Sequence, residues 1–201
     1  MSNVRRGVPL VISAPSGCGK TTLCRRLMEE LSELEFSVSH TTRAPRGQEV
    51  DGVDYHFVRP DAFQSMVEAQ EFLEWAEVHA HHYGTGLAQT NQRLNEGIDV
   101  LFDIDIQGGH QIAARLDDAV LVFILPPSMG VLEERLRGRG TDSEEQIQKR
   151  LDVAAQEIQD ATGYTHWIVN DDLDAALEEL KAVVVAERVR RRDREALISA
   201  L

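Results

Sequence analysis

The sequence predicts an α/β protein: a parallel sheet flanked by helices, with an inserted α+β subdomain and a helical lid. Two observations support this fold class. Apolar, strand-like segments alternate with helix-like segments, and the first junction between them has the composition of a phosphate-binding loop, or P-loop. The strand candidates, rich in Val, Ile, Leu or Phe, are residues 8–13, 98–104, 119–125 and 166–169. The helical patterns that follow them are residues 20–32, 107–116, 128–138 and 172–195.

The first strand–helix junction reads Ile-Ser-Ala-Pro-Ser-Gly-Cys-Gly-Lys-Thr-Thr over residues 12–22. In this context the loop N–H groups and the helix N-terminus can wrap a polyphosphate. Lys20 can then reach the β/γ-phosphates, and the Thr21 hydroxyl can ligate Mg²⁺. The usual pattern begins with Gly where this chain has Ala14, which is acceptable if φ is negative there. The alternative, an ordinary turn with chance glycines, is disfavoured by the Gly-Lys-Thr combination.

Two segments interrupt the alternation. Residues 35–97 mix short extended pieces with turns and a short helix, which predicts an inserted α+β subdomain. The extended pieces are residues 36–39, 55–58 and 72–78, and the helix lies near 61–69. Residues 138–160 begin with a polar, glycine-rich turn and continue as a helix of charged and small residues, a pattern typical of a mobile lid.

Composition limits the function classes. The chain of 201 residues can form one core with small insertions, and its net charge of −13 disfavours a general nucleic-acid binder. No segment approaches transmembrane length, and the N-terminus lacks the features of a signal peptide. The two cysteines do not indicate a disulfide scaffold, so we expect a cytoplasmic protein. An acidic protein that binds nucleotides must concentrate its arginines locally.

Arg43 and Arg46 form one such concentration, with a proline between them that prevents an ordinary helix interior. Two guanidinium groups in one turn can clamp a phosphate monoester. A solvated basic loop is the alternative. Because Tyr55 and Tyr83 belong to the same subdomain and the chain is acidic, we favour the clamp.

A second group of arginines surrounds the glycine-rich turn. Arg135 and Arg139 are four residues apart and can share a face, and Arg150 follows one helix later. They can swing onto ATP phosphates when the lid closes; solvated helix faces are the alternative, favoured for Arg137. For the basic run at 188–194, a solvated helix end is favoured over a polyanion site.

Asp103 lies where an apolar strand ends in the sequence Asp-Ile-Asp. An acid at a strand end near a phosphate-binding loop is the Walker-B position and can hold a Mg²⁺ water. The signal is weak alone, and the Lys-Thr pair of the loop strengthens it.

Taken together, these residues resemble the guanylate kinase family over nearly the whole chain. The matching motifs are Ser-Ala-Pro-Ser-Gly-Cys-Gly-Lys-Thr at 13–21, Val-Ser-His-Thr-Thr-Arg-Ala-Pro-Arg at 38–46, and the segments 51–57, 72–76, 83–85, 103–108, 135–140 and 168–172. Ala14 is similar to what bacterial members carry. The resemblance implies a P-loop kinase made of one domain. Its core would be residues 1–34, 98–129 and 158–201, with a GMP-binding subdomain at 35–97 and a lid at 130–157.

The resemblance also implies roles for individual residues. ATP would be held by the loop residues Ala14, Pro15, Ser16, Gly17, Cys18, Gly19, Lys20, Thr21 and Thr22, with Asn170 near the adenine. GMP would be bound by Ser39, Arg43, Arg46, Glu49, Tyr55, Glu74, Tyr83, Thr85 and Asp105. The catalytic set would be Lys20, Arg43, Arg135, Arg139 and Arg150, with Thr21 and Asp103 near Mg²⁺. The expected partners are ATP and GMP, without nucleic acid or membrane, and a homo-oligomer is left open.

The implied reaction is Mg²⁺-dependent phosphoryl transfer from ATP to GMP in purine nucleotide metabolism and GMP recycling. One carboxylate, Glu74, can accept both donors of the guanine edge, whereas adenine would leave it unpaired. Two alternatives are disfavoured. A non-catalytic binding module would not need Lys20 and the lid arginines, and a kinase for another small acceptor would not need Glu74 with Ser39.

Overall fold

Strands and helices alternate along most of the chain in the computed structural model, which describes residues 5–78, 80–138, 140, 142–192 and 198. The strands are β1 (Pro9–Ser13), β2 (Leu34–Phe36), β3 (His40–Thr41), β4 (His56–Phe57), β5 (Phe72–Val78), β6 (His81–Gly86), β7 (Asp99–Asp103), β8 (Val120–Leu125) and β9 (His166–Val169). The helices are α1 (Lys20–Glu30), α2 (Pro60–Glu68), α3 (Leu87–Asn95), α4 (Ile106–Arg115), α5 (Met129–Gly138), α6 (Glu144–Asp160) and α7 (Leu173–Arg190). Among these described helices, none combines the length and the apolar character that crossing a bilayer requires.

The main sheet is parallel and has the order β2-β7-β1-β8-β9, with the first strand of the chain at its centre. Every residue of β1 is buried, as expected for a parallel strand covered on both faces. Leu10 and Ile12 pack into a cluster with α1, α5, α6 and α7, whereas Val11 packs into a second cluster with α3 and α4. The loop that follows β1 therefore starts from a buried, rigid strand.

A second sheet of four strands has the order β4-β3-β6-β5. Only β3 and β4 are parallel; the other pairs are antiparallel. The ring of Phe63 on α2 stacks on Phe72 of β5, with 4.5 Å between centroids. Gly84 of β6 lies beneath both rings, and a Cβ there would be 2.9 Å from Phe72 Cδ1. The small sheet thus has an aromatic core of its own.

The structure confirms the α/β fold class and the predicted core strands and helices, within two residues at each boundary except the end of α7. That helix was predicted to reach residue 195 and ends at Arg190, and residues 193–195 lie outside the described part of the chain. The extended segment predicted at 36–39 was wrong in position. It is β2, residues 34–36, and it belongs to the main sheet beside β7. Sequence patterns also missed β6 and α3. The glycines and histidines of β6 have low strand propensity, so its pairing with β5 and β3 decides its conformation.

Two aspartates neutralise the basic end of α7. Asp99 is fully buried and accepts hydrogen bonds at 2.6 Å from both Arg188 Nε and Arg5 Nη1. Asp118 pairs with Arg191, whose side chain is 8% exposed. The favoured interpretation of a solvated helix end is therefore wrong for Arg188 and Arg191, because both guanidinium groups join α7 to the N-terminal ends of the core strands.

Candidate active site

The loop between β1 and α1 has the backbone geometry of a phosphate-binding loop. Gly17 and Gly19 have φ values of +102° and +85°, in the left-handed region that favours glycine. Gly19 also has no room for a side chain, because a Cβ would lie 2.5 Å from Asn170 Nδ2. Ala14 is not among the residues with positive φ, so the expectation for that position is confirmed. The loop thus presents its N–H groups at the start of α1.

Asn170, which directly follows β9, fastens this loop to the main sheet. Its Nδ2 donates a hydrogen bond to the backbone carbonyl oxygen of Cys18 at 2.7 Å. The backbone carbonyl oxygen of Asn170 accepts a hydrogen bond from Arg135 Nη2 at 2.9 Å. Cys18 is fully buried, and burial raises the pKa of its thiol to about 12. The thiol is therefore a packing group rather than a nucleophile.

Lys20 lies in the first turn of α1 and forms an ion pair with Asp103 at the end of β7. Its Nζ also approaches the carbonyl oxygen of Ile104 at 3.4 Å. Beside this pair is a cleft of about 380 Å³, lined by loop residues, by the exposed Thr21 and by Glu157 of α6. The expected proximity of the loop lysine and the strand-end acid is thus found.

Glu157 is a cleft residue that the sequence patterns missed. It is half-buried, and burial followed by the charge of Asp105 raises the pKa of its carboxyl, whereas Lys20 lowers it. The charge of Glu157 in turn contributes to the raised pKa of Cys18. No local motif marks Glu157, because it is one of several acids on a charged helix, and only the packing of α6 over the cleft distinguishes it.

The second group of site residues lies on the small sheet. Arg43, just after β3, is 7% exposed and donates hydrogen bonds to Glu49 and, from Nε, to Tyr83 Oη at 3.2 Å. The hydrogen bonds that Arg43 donates to Glu49 raise the pKa of Arg43 above its ordinary value. The guanidinium carbon is 5.3 Å from the ring centroid of Tyr55. Arg46 differs: its side chain is exposed, and its backbone N–H donates to Glu49 at 2.7 Å.

Glu74 and Thr85 face each other across β5 and β6, in the sheet whose Tyr83 contacts Arg43. Glu74 is 8% exposed, and its Oε1 accepts a hydrogen bond from Thr85 Oγ1 at 2.6 Å. Burial raises the pKa of Glu74, and the charge of Asp105 adds to the rise. Asp105 is exposed and caps α4 by accepting from the Gly108 N–H at 2.8 Å. Ser39 is half-buried, and its carbonyl accepts from the His56 N–H at 2.9 Å.

The segment expected to form the lid contains α5 and α6. Arg150 on α6 pairs with Asp142 at 3.1 Å, and Arg137 pairs with Glu133 at 2.8 Å. Ser143 starts α6 with a capping box. Arg139, expected to share a face with Arg135, lies outside the described residues.

A phosphate-binding loop after the central strand of a parallel sheet, with its lysine against the acid of the neighbouring strand, defines the P-loop kinase class. The family model described as guanylate kinase matches residues 6–187. The chain is 52% identical over 201 residues to the guanylate kinase of Nitratidesulfovibrio vulgaris, covering 100% of this chain and 97% of that protein. The chain therefore belongs to the guanylate kinase family, and the resemblance seen in the sequence is confirmed.

Other relatives agree. The guanylate kinase of Zymomonas mobilis is 50% identical over 195 residues, covering 96% of this chain and 90% of that protein. The crystal structure of the guanylate kinase from Anaplasma phagocytophilum has a TM-score of 0.69 and 33% identity, covering 92% of this chain and 87% of that chain. The similarity thus extends over the small sheet as well as the main sheet.

Proposed function

We propose that this protein transfers the γ-phosphoryl group of ATP to GMP, giving ADP and GDP, in purine nucleotide metabolism and GMP recycling. The single most informative observation is the buried carboxylate of Glu74, which Thr85 holds in the small sheet that Arg43 contacts through Tyr83. Tyr83, which accepts a hydrogen bond from Arg43, lies only two residues before Thr85. The acid proposed to read the base and the cation proposed to bind the phosphate thus lie close together in the chain's smaller sheet and the loop that follows β3.

Glu74 would select guanine. The guanine edge presents two donors, N1–H and the 2-amino group, and one carboxylate accepts both. Adenine would set its N1 lone pair against the carboxylate and leave a buried charge unpaired, which a site of this kind rejects strongly. Ser39, Thr85 and Asp105 would complete the contacts to the nucleoside.

The GMP phosphate would be bound by Arg43, Arg46, Tyr55 and Tyr83. Arg43 is already oriented by Glu49, and the exposed side chain of Arg46 is free to approach a ligand from solvent. The attacking atom is an oxygen of this phosphate, which is anionic at neutral pH, so no general base is required. A new bond forms from that oxygen to the γ-phosphorus as the bond to the bridging oxygen of ADP breaks.

The ATP phosphates would be wrapped by the loop residues 14–22, with Lys20 leaving Asp103 for the β/γ-phosphates. Asn170 would lie near the adenine. Arg135, Arg139 and Arg150 would stabilise the charge of the transferring group when the lid at 130–157 closes over it. This closure, with that of the subdomain at 35–97, would exclude water, which otherwise competes with GMP as the acceptor.

Mg²⁺ would be held by Thr21 and Asp103. An exposed hydroxyl and a carboxylate beside the cleft are hard oxygen donors, and Mg²⁺ commonly takes one or two such protein ligands together with substrate phosphates and waters. When bound, it neutralises charge on the β- and γ-phosphates. A cytoplasmic location is part of this proposal, and the two free, buried cysteines support it.

The test is ADP production from ATP and Mg²⁺ with GMP, AMP, CMP or UMP as the acceptor, beside a control without acceptor. We expect fast turnover with GMP alone. Comparable turnover with AMP would contradict the role of Glu74. Binding of GMP without turnover would instead favour a binding module.

A further inference from the structure

A buried hydroxyl pair links the start of β9 to the ends of β1 and β7. Tyr164 is 4% exposed, and its Oη donates a hydrogen bond to Ser13 Oγ at 2.6 Å. Ser13 is fully buried, and its hydroxyl donates in turn to the carbonyl oxygen of Ile104 at 2.8 Å, with the carbonyl of Asp105 at 3.2 Å. The pair therefore connects Tyr164, 151 residues from Ser13 in the sequence, to the turn that follows β7.

The surroundings leave the tyrosine hydroxyl little freedom. It lies beneath α4 at Gly109, where a Cβ would be 2.1 Å from Tyr164 Oη, so glycine is required for this approach. The ring packs edge-on against Phe123 at 5.4 Å between centroids. Burial also raises the pKa of Tyr164 to about 12, so the hydroxyl stays protonated well above neutral pH.

The turn that these hydroxyls hold contains two of the proposed site acids. Asp103 pairs with Lys20 and Asp105 caps α4, and the Ile104 carbonyl between them is approached by both Ser13 Oγ and Lys20 Nζ. Ser13 also directly precedes the phosphate-binding loop. One hydroxyl therefore contacts the turn that joins the proposed ATP and GMP sides of the site.

We propose that Tyr164 and Ser13 are positioning residues for phosphoryl transfer, which set the 103–105 turn and so aim Asp105 at GMP and hold Asp103 beside Lys20. This inference rests on the proposed function. Neither residue touches substrate in this scheme: Tyr164 orients the Ser13 hydroxyl, and Ser13 holds the two carbonyl groups. The effect of Tyr164 must therefore pass through Ser13.

The test compares Ser13→Ala, Tyr164→Phe and the double variant by steady-state kinetics, with each fold checked by thermal unfolding. Loss of the Ser13 donor should lower kcat/KM for GMP about tenfold, and loss of the Tyr164 hydroxyl about threefold, while KM for ATP changes less than about twofold. Because the two act in series, the double variant should be no worse than Ser13→Ala alone.

Trp167→Phe is the matched control, since its indole donates a hydrogen bond to the backbone carbonyl of Tyr164 at 3.0 Å and not to the Tyr164–Ser13 hydroxyl pair. We expect normal kinetics from it. If Ser13→Ala is less heat-stable but keeps wild-type kcat and KM, or if the double variant loses the product of the single effects, the positioning role is refuted. Those outcomes leave the proposed function intact, whereas a wild-type protein inactive with GMP would overturn both.

Discussion

Both carboxylate oxygens of Glu49 accept hydrogen bonds from the guanidinium of Arg43, at 2.9 and 3.0 Å. The Arg46 N–H at 2.7 Å holds the same carboxylate, so its position is set by the backbone. The orientation of Arg43 is therefore set within the protein itself. An oriented cation loses less conformational entropy on binding than a free one.

Glu49→Ala should raise KM for GMP about tenfold, because Arg43 would lose its charge-assisted, bidentate partner. KM for ATP should stay within about twofold of the wild type. Glu68→Ala, an exposed acid on α2 of the same subdomain, is the control and should leave both constants unchanged. A fall in KM for GMP would contradict this prediction, since it would mean that Glu49 only competes with the phosphate for Arg43.

Glu74→Gln should raise KM for GMP about a hundredfold, because the amide can accept from only one of the two guanine donors and turns an N–H toward the other. Initial rates at varied GMP and at varied ATP separate the two substrates. Equal loss of affinity for GMP and ATP would rule out the role of base reader.

The pH dependence of GMP binding should also report on Glu74. The ionised carboxylate is the acceptor, and burial raises its pKa, so KM for GMP should begin to rise on acidification at a higher pH than an ordinary glutamate would dictate. The Glu74→Gln variant should not show this rise in KM for GMP at acidic pH. A rise that persists in the variant must come from the protonation of another group.

Lys20→Met should lower kcat about 10³-fold, because the loop cation that would stabilise the transferring phosphoryl group is removed. The free energy of unfolding should change by only about 1 kcal/mol, since the ion pair with Asp103 is partly exposed. Urea unfolding beside turnover measurements checks both. Arg25→Met, on the exposed side of α1, is the control and should leave turnover unchanged. Near-normal turnover of Lys20→Met would argue against the phosphate-binding role of Lys20.

His40 should make stability depend on pH. Burial, followed by the neighbouring His56, lowers the pKa of His40 to about 4, so the folded protein holds it neutral while the unfolded chain takes up a proton near pH 6.5. His40 therefore leaves the free energy of unfolding unchanged with pH above its unfolded pKa of 6.5. Between pH 6.5 and about 4 the unfolded chain binds the extra proton, so the free energy of unfolding falls as the pH is lowered. Urea unfolding across that range should show a shallower slope against pH for His40→Leu than for the wild type.

Asp99→Asn should destabilise the fold by about 3–5 kcal/mol, because Arg5 and Arg188 would lose the buried charge that compensates them. The exposed pair Arg59–Asp61 provides the control, and Asp61→Asn should cost less than about 1 kcal/mol. Urea unfolding measures both variants. A small effect at Asp99 would mean that water reaches the arginines readily.

The main fold could be predicted because its strands are continuous apolar runs. Such runs are typical of parallel strands buried on both faces, as in β1, β7 and β8. In contrast, β2 has three residues and includes an exposed glutamate, and β6 contains Gly84 and Gly86. The conformation of these strands depends on their partners, which local patterns do not reveal.

The candidate site also contains some features that the sequence predicts and others that only the structure reveals. The phosphate-binding loop is contiguous in sequence, so its spacing alone revealed it. The contact between Tyr164 and Ser13 spans 151 residues, and Glu157 faces the cleft only because α6 packs across it. The resemblance to a family suggested the roles of Glu49 and Glu74, but the partners that orient them became visible only in three dimensions.

The chain leaves the main sheet to form the small sheet and returns to the main sheet between two neighbouring strands. The chain departs after β2 and returns in β7, and these two strands are hydrogen-bonded neighbours, with Leu34 beside Asp99. An inserted segment whose two ends are adjacent can vary in length and sequence without shifting the register of the strands that flank it. Under the proposed function, the residues that would choose the phosphate acceptor can therefore change without disturbing the strands that would carry the ATP site.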